Sequence, residues 1–165
     1  MTVTHVNRKG QTFYLHETRT KTGKPKFFFS MKDEGVPVVS IPDGFEVYEN
    51  PDAQVFMRKE LPRFITDHEI AVVREGLRKH AKGRHCMADV REKHVVVYHS
   101  EGGDLYQKLL RFTLVDEDAR RFAAERWCFL GSIDNWIHLS GGGELSKLVE
   151  RYAPHIGKES FFELM

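Results

Sequence analysis

Cysteine is scarce in this sequence, and long apolar runs are missing from it. The two cysteines, Cys86 and Cys128, lie far apart and outside any CxxC spacing. This usage favours reduced thiols over a disulfide framework or a zinc site. No stretch of about 18 apolar residues occurs, and residues 1–10 lack the apolar segment of a signal peptide. We therefore expect no membrane span, no secretory signal and a cytoplasmic protein.

Net charge is also small, a formal +1 at pH 7, so the overall balance indicates no partner. The charges are nevertheless segregated along the chain. Residues 8–32 carry seven lysines and arginines against the single acid Glu17, whereas residues 33–52 carry six acids and no lysine or arginine. A second basic block follows at residues 74–93. Such blocks usually mark solvated faces and sometimes a docking surface, and the first two could also neutralise each other.

The remaining composition is that of a globular protein. The 165 residues are 41% hydrophobic, 12% aromatic and 30% charged, which is well away from the low hydrophobicity of disordered chains. A chain of this length buries roughly two-thirds of the surface that its unfolded form exposes. We expect a folded protein with little disorder beyond short loops.

Two hairpins are predicted in the first 60 residues. Gln11–Arg19 alternates in the period of a strand, Lys26–Lys32 is its partner, and Gly23 supplies a positive φ between them. The three phenylalanines at 27–29 must then point to both faces of the sheet. Residues 45–49 and 54–58 form the second hairpin, with a proline suited to position i+1 of a type I turn between them.

A helix is predicted over residues 66–82. Thr66 and Glu69 form a capping box, and apolar residues recur every three to four positions after it. Gly83 is a plausible stop. Residues 85–90 and 94–99 follow as another pair of strands.

The last third of the chain is predicted to contain strands at about 110–115, 126–130 and 135–139. Residues 117–125 are compatible with helix or strand, and we favour a meander because aromatic runs bound them. Ser140 and three glycines then suggest a capped connection into a second amphipathic helix at 144–153. The apolar tail, residues 161–165, should pack back on the body.

These elements predict an α+β fold of antiparallel hairpins and a meander, packed with two amphipathic helices at about 66–82 and 144–153. Residues 1–61 would form a β-rich subdomain and residues 62–165 a mixed one. Because some 60 residues of hairpins bury little surface alone, we expect one cooperative unit.

The first hairpin is the leading candidate site. Nucleic acids require cations that meet phosphates and, where bases are unpaired, flat rings for stacking. The hairpin offers both kinds of group, namely Arg19, Lys21, Lys24 and Lys26 together with Tyr14 and Phe28. These residues predict a binding module for RNA or DNA. A lysine-rich tip also keeps a sheet edge soluble, which is a sufficient structural explanation by itself.

Metal and phosphate sites have weaker support. Five candidate ligands lie close in sequence, but without the spacing of known metal sites: His80, His85, Cys86, His94 and His99. The glycines at 141–143 belong to no phosphate-binding motif, and Glu144 places a carboxylate where the anion would bind. We expect neither a metal nor a cofactor.

Two further functions remain open. The aromatic strand Lys26–Lys32 and the tail Phe161–Met165 would serve a protein-interaction or homo-oligomeric subunit. A small enzyme would instead need a concave pocket that collects His138, Glu125 and Asp134, of which Glu125 and His138 could meet across neighbouring strands. Trp127 and Trp136 are expected in the core rather than at a ligand.

Overall fold

The chain is mostly antiparallel β-sheet, with 45% of its residues in strands, and the part that the structure describes contains two α-helices. The computed structural model describes residues 1–81, 85–102, 105–130 and 133–165. It divides into two compact units, Met1–Leu61 (unit 1) and Pro62–Met165 (unit 2). Neither helix within the described ranges is long and apolar enough to cross a membrane.

Unit 1 contains six strands. They are β1 (Thr4–Val6), β2 (Thr12–Arg19), β3 (Pro25–Ser30), β4 (Val36–Pro37), β5 (Phe45–Glu49) and β6 (Val55–Lys59). Strand β2 is central: β3 pairs along one of its edges, and β1 and β4 share the other. Strands β5 and β6 form a separate hairpin. Both predicted hairpins are therefore confirmed.

Three turns of unit 1 share one geometry, a type I turn that ends in a residue with positive φ. In each turn the fourth residue donates its N–H to the carbonyl of the first: Gly10 to Asn7 (3.0 Å), Gly23 to Thr20 (2.9 Å) and Ala53 to Asn50 (3.0 Å). The fourth residues have φ of 76°, 82° and 63°. Turns of this type suit three-residue hairpin loops. The positive φ predicted at Gly23 is confirmed.

The first and third of these turns are joined by polar contacts. The Asn7 side-chain amide donates to the Ala53 carbonyl at 2.9 Å in a buried position. Glu49 accepts hydrogen bonds from His5 Nε2 (2.9 Å) and from the Arg8 backbone N–H (3.0 Å), and it pairs with the Arg8 guanidinium at 2.9 Å. Burial acts to raise the pKa of Glu49, but these bonds and the Arg8 charge lower it overall from the usual 4.5.

One face of the β2–β3 hairpin packs against the β5–β6 hairpin. Phe27 of β3 lies against Phe45, with ring centroids 6.3 Å apart, and Leu15 of β2 is fully buried. Side chains alternate along a strand, so the neighbouring residues point to the opposite face. In unit 1, which is described throughout, three hydrophobic residues are buried: Leu15, Ala53 and Val55.

Unit 2 is a five-stranded antiparallel meander with helices. Its elements are α1 (Asp67–His80), β7 (His85–Arg91), β8 (His94–Ser100), β9 (Gln107–Asp116), β10 (Arg121–Leu130), β11 (Ile133–Gly143), α2 (Leu145–Tyr152) and the 3-10 turns Ala153–His155 and Glu159–Glu163. The strand order is β11-β10-β9-β8-β7, so each strand pairs with its neighbour in sequence. This confirms the meander that we favoured for residues 117–125.

Helix α1 begins at the predicted capping box. Thr66 Oγ1 accepts from the Glu69 N–H (3.1 Å), and Glu69 Oε1 accepts from the Thr66 N–H (2.9 Å). Glu69 also pairs with Arg120, whose guanidinium donates to the Phe64 carbonyl as well. Burial acts to raise the pKa of Glu69, but the Arg120 bond and the capping bonds lower it overall. The predicted stop at Gly83 lies outside the described residues.

The core of unit 2 lies between the helices and one face of the sheet. Val73 and Leu77 of α1 and Val149 of α2 belong to the same buried cluster as Val97 and Phe112 of the sheet. The two helices approach closely at Gly76, where a Cβ atom would lie 2.0 Å from Val149 Cγ1. The two predicted amphipathic helices are confirmed.

The predicted cap at Ser140 is wrong. Strand β11 continues through Gly143, which pairs with Phe122 of β10. The N-cap of α2 is Glu144, and its side chain makes no capping hydrogen bond. The strand is longer than predicted because pairing with β10 supplies partners for the glycine backbone, which no local sequence signal indicates.

The apolar tail packs back only in part. Phe161 is buried, whereas Phe162 and Met165 are exposed. The buried Arg126 of β10 holds the tail, since it donates to the carbonyls of Leu164 (2.7 Å) and Phe162 (3.1 Å). Backbone contacts of an arginine, rather than apolar packing alone, therefore fix this segment.

Candidate nucleic-acid interface

The tip of the β2–β3 hairpin is held in shape by its own hydrogen bonds. The Lys24 N–H donates to Thr20 Oγ1 (3.2 Å), and the Arg19 guanidinium donates to the Gly23 carbonyl (3.1 Å). The Thr20 backbone N–H also donates to the Lys24 carbonyl at 2.8 Å. The four predicted cations, which we call the basic tip, are all exposed: Arg19, Lys21, Lys24 and Lys26.

The lysines of the basic tip are not neutralised by the acidic block that follows them. Lys21, Lys24 and Lys26 form no ion pair with any residue of the described ranges. Two acids of that block have other partners: Asp33 bonds to His16 at 3.1 Å, and Glu46 bonds to Arg58 at 2.9 Å. The positive charge at the tip therefore faces solvent without compensation.

The register sorts the predicted site residues onto two faces. Tyr14 is opposite Ser30, His16 is opposite Phe28, and Thr18 is opposite Lys26. Tyr14, Phe28 and Lys26 therefore share one face of the hairpin, which is the face turned away from the β5–β6 hairpin. Arg19 is opposite Pro25 and lies on the other face. The hairpin brings three of the predicted residues together on one face, whereas Arg19 lies on the opposite face.

His16 lies at the centre of this face and was not identified from the sequence. Its side chain is 1% exposed, and its Nε2 donates to Asp33 at 3.1 Å. A Cβ on Gly35, whose φ is 108°, would lie 3.8 Å from the His16 ring. The connection after β3 thus covers the histidine. The alternation of β2 places His16 between Tyr14 and Thr18, but the covering connection has no local signal.

The sheet of unit 2 carries a second group of rings and cations, on the face opposite the helices. Trp127 and Trp136 are half-buried and contact each other edge to face, 5.0 Å apart. The Lys108 ammonium lies 4.7 Å from the Trp127 ring centre, and the Arg111 guanidinium lies 4.4 Å from that of Trp136. The prediction of two core tryptophans is therefore wrong, since neither is fully buried.

Of the two cations in this second group, Arg111 is paired with a carboxylate, whereas Lys108 pairs with none of the described residues. Arg111 Nε bonds to Glu125 at 2.9 Å, and Arg91 pairs with Asp89 at 3.2 Å. Cations that already have carboxylate partners lose those contacts when they bind phosphate, which costs part of the gain. The rings also face cations from their own sheet. This face is thus a poorer phosphate surface than the basic tip.

The residues suggested for an enzyme are only partly assembled. Glu125 is directly opposite Arg111 of β9 and His138 of β11, so the predicted meeting of Glu125 and His138 across strands is consistent with the register. Glu125 is nevertheless bonded to Arg111, and His138 is exposed. The side chain of Asp134 lies outside the described residues. An enzymatic site here stays a prediction.

Histidines do not converge on a metal in the part of the chain that is described. No group of three or more His, Cys, Asp or Glu side chains there is arranged to hold one. His94 and His99 occupy opposite faces of β8, and His94 Nδ1 bonds to Thr113 Oγ1 at 2.7 Å. Burial and the nearby Arg111 lower the pKa of His94. Within the described residues, neither Cys86 nor Cys128 forms a disulfide.

A shallow groove of about 360 Å³ lies between α1 and α2. It is lined by Val72, Gly76 and Val149, with His68 and His80 among the polar residues at its rim. The two histidines are twelve positions apart on one helix, a separation of about 18 Å, so they do not serve one ligand atom. The charged residues at the rim have both signs and specify no ligand class.

Comparison with known proteins adds no assignment, because no family model, no curated protein and no solved structure matches this chain. The candidate sites are therefore ranked on geometry and charge alone. The basic tip differs from the other two surfaces in grouping four exposed cations on one hairpin, none of which pairs with a carboxylate of the described residues.

Proposed function

We propose that the chain is a nucleic-acid-binding module that engages RNA or DNA through the basic tip and the adjoining face of the β2–β3 hairpin. The proposal rests on one observation: Lys21, Lys24 and Lys26 form no ion pair with any described residue. Phosphates release condensed counterions when they meet such cations, and this release supplies most of the affinity of sequence-independent binding. Two cysteines without a disulfide between them suit the reducing cytoplasm.

Salt dependence is the primary test. If four cations meet phosphates, the slope of log K against log salt should be about −3, and affinity should fall roughly a hundredfold between about 50 and 200 mM salt. Fluorescence anisotropy with labelled oligonucleotides measures both quantities. A flat salt profile, or no binding at low salt, contradicts the proposal and leaves the lysines as solubilising residues of a sheet edge.

Two triple variants distinguish the effect of the charge at the basic tip from the effect of the protein's net charge. Lys21→Gln/Lys24→Gln/Lys26→Gln should reduce the magnitude of the salt slope by about 2. Lys93→Gln/Lys147→Gln/Lys158→Gln removes the same charge from unit 2 and should leave the slope nearly unchanged. Equal losses in both triples would show that the basic tip is not the contact surface. An Arg74→Gln/Lys79→Gln variant tests the exposed cations of α1 separately.

Self-association through β3 is the second candidate. Strand β3 ends the sheet order β1-β2-β3, and its outer edge pairs with no described strand. Phe28 of β3 and Met31, which follows the strand, are exposed. An unpaired edge is a template for another strand. Size-exclusion chromatography should then give a dimer or larger species that Phe28→Asp disperses, whereas the nucleic-acid proposal does not require one.

A further inference from the structure

Of the three consecutive phenylalanines, Phe28 is the exposed one. It retains 36% of its accessible surface, while Phe27 and Phe29 on the other face are half-buried. Large rings normally contribute most to stability when they are fully buried. Phe28 instead presents part of its ring beside the lysines of the basic tip. This combination of an accessible ring and uncompensated cations is what unpaired bases require.

The Phe28 ring contacts His16, which lies directly opposite it on β2. The two ring centroids are 5.8 Å apart, with planes inclined by 37°. His16 is itself fixed, since its Nε2 bonds to Asp33 and the backbone of Gly35 lies against its ring. A ring that is held against a fixed neighbour loses little conformational freedom when a base stacks on its exposed side.

His16 is also a costly residue for this position. Its Nδ1 is buried and has no hydrogen-bond partner among the described residues, and a buried polar atom without a partner is destabilising. An aliphatic side chain would fill the same space without that cost. The imidazole does provide a flat ring in contact with Phe28, which an aliphatic side chain does not.

Lys26 is placed to serve the same nucleotide. It precedes Phe28 by two residues on β3, on the same face, at a Cα separation of about 7 Å. Lys24 and Lys21 continue the positive charge toward the turn. A strand whose bases turn toward Phe28 would have its phosphates along the lysines, in the manner of proteins that bind single strands.

From this arrangement we infer that the hairpin binds single-stranded nucleic acid in preference to duplex, with one unpaired base stacked on the exposed side of Phe28. The inference rests on the proposed function and adds the class of nucleic acid. A duplex offers the basic tip its phosphates, but its bases are stacked inside and leave nothing for Phe28 to contact. The stacked base needs no particular identity, because every base has a π-face.

The test compares single strands with duplex in the full chain. The probes are labelled oligo(dT) and oligo(rU) of about 12 nucleotides and a duplex of the same length, at about 50 mM salt. Wild type should bind both single strands more tightly than the duplex. Phe28→Leu should weaken single-strand binding by about 5- to 150-fold, the equivalent of one stacked base, and leave duplex binding unchanged. Phe28→Tyr should retain the wild-type affinity.

Phe56→Leu is the matched control, since Phe56 is an exposed phenylalanine of β6 in the same unit. It should have no effect on either probe. Equal affinity for single strand and duplex, or an unchanged affinity in Phe28→Leu, overturns the inference while a loss in the lysine triple still supports the proposed function. No binding of either probe by wild type overturns both. Circular dichroism of each variant identifies a loss that arises from unfolding.

Discussion

At the scale of single residues, Glu49 shows how one carboxylate can hold two turns together. It is 12% exposed and receives bonds from His5 and Arg8 at the start of the chain. Burial alone would raise its pKa, but these partners lower it below 4.5. A carboxyl whose pKa is lower in the folded state stabilises that state above its unfolded pKa, and this contribution disappears as pH falls through the folded value.

Glu49→Gln should therefore lower the free energy of unfolding by about 1–2 kcal/mol at pH 7, because an amide accepts these bonds less strongly than a carboxylate. The difference from wild type should shrink as pH falls below 4.5, where the wild-type carboxyl becomes protonated as well. Urea unfolding at a series of pH values measures this difference. Glu34→Gln, a change at an exposed acid with no ion pair to a described residue, should be neutral throughout.

Features of single residues could be predicted where they depend on residues nearby in the sequence. The charge blocks and the alternation of β2 placed the basic tip and the face that holds Tyr14 and Phe28. The partners of the charges were not predictable, because they depend on contacts between residues distant in sequence. Asp33 could as well have paired with a lysine; its bond to His16 follows from the path of the chain after β3.

At the scale of elements, local signals succeeded where a side chain acts on its own backbone. The capping box at Thr66 and the glycine at position 23 fix a helix start and a turn through bonds within four residues. Local signals did not predict the end of β11. Ser140 and the glycines resemble a loop in the sequence, and only pairing with β10 makes them a strand. Strand boundaries depend on the neighbouring strand more than helix boundaries depend on their neighbours.

The crossing of the two helices gives a prediction at this scale. Gly76→Ala places a methyl group 2.0 Å from Val149 Cγ1, so the helices must shift or Val149 must change rotamer. We expect a loss of about 1–2 kcal/mol, because overpacking exceeds the gain in helix propensity. Chemical denaturation measures the loss.

Two further variants identify the cause of that loss. In a Val149→Ala background the same Gly76→Ala substitution should be neutral or stabilising, since the obstructing methyl is gone. Gly142→Ala, at a glycine with nothing within 4 Å, should change stability by less than about 0.5 kcal/mol. An equal loss from Gly76→Ala in both backgrounds would contradict a steric cause.

At the scale of the whole molecule, the two units differ greatly in their cores. Unit 1 buries three hydrophobic residues, whereas the large cluster of buried hydrophobic residues lies in unit 2. A chain of about 60 residues is marginally stable even with a good core, because it buries only about 60% of its unfolded surface. Unit 1 therefore has little independent stability to contribute, and the cooperative unfolding expected from the sequence stays a prediction.

Cooperative unfolding has a clear signature here, because Trp127 and Trp136 both belong to unit 2. If the chain unfolds as one unit, Glu49→Gln in unit 1 should lower the midpoint of the tryptophan fluorescence transition by about 2–8 °C. Far-ultraviolet circular dichroism should give the same midpoint. Independent units would instead leave the tryptophan transition of Glu49→Gln at the wild-type temperature and produce an earlier, separate loss of strand signal. Coincident transitions would mean that the folding of unit 1, which carries the basic tip, depends on the whole chain. Nucleic-acid binding and the stability of unit 2 would then be linked.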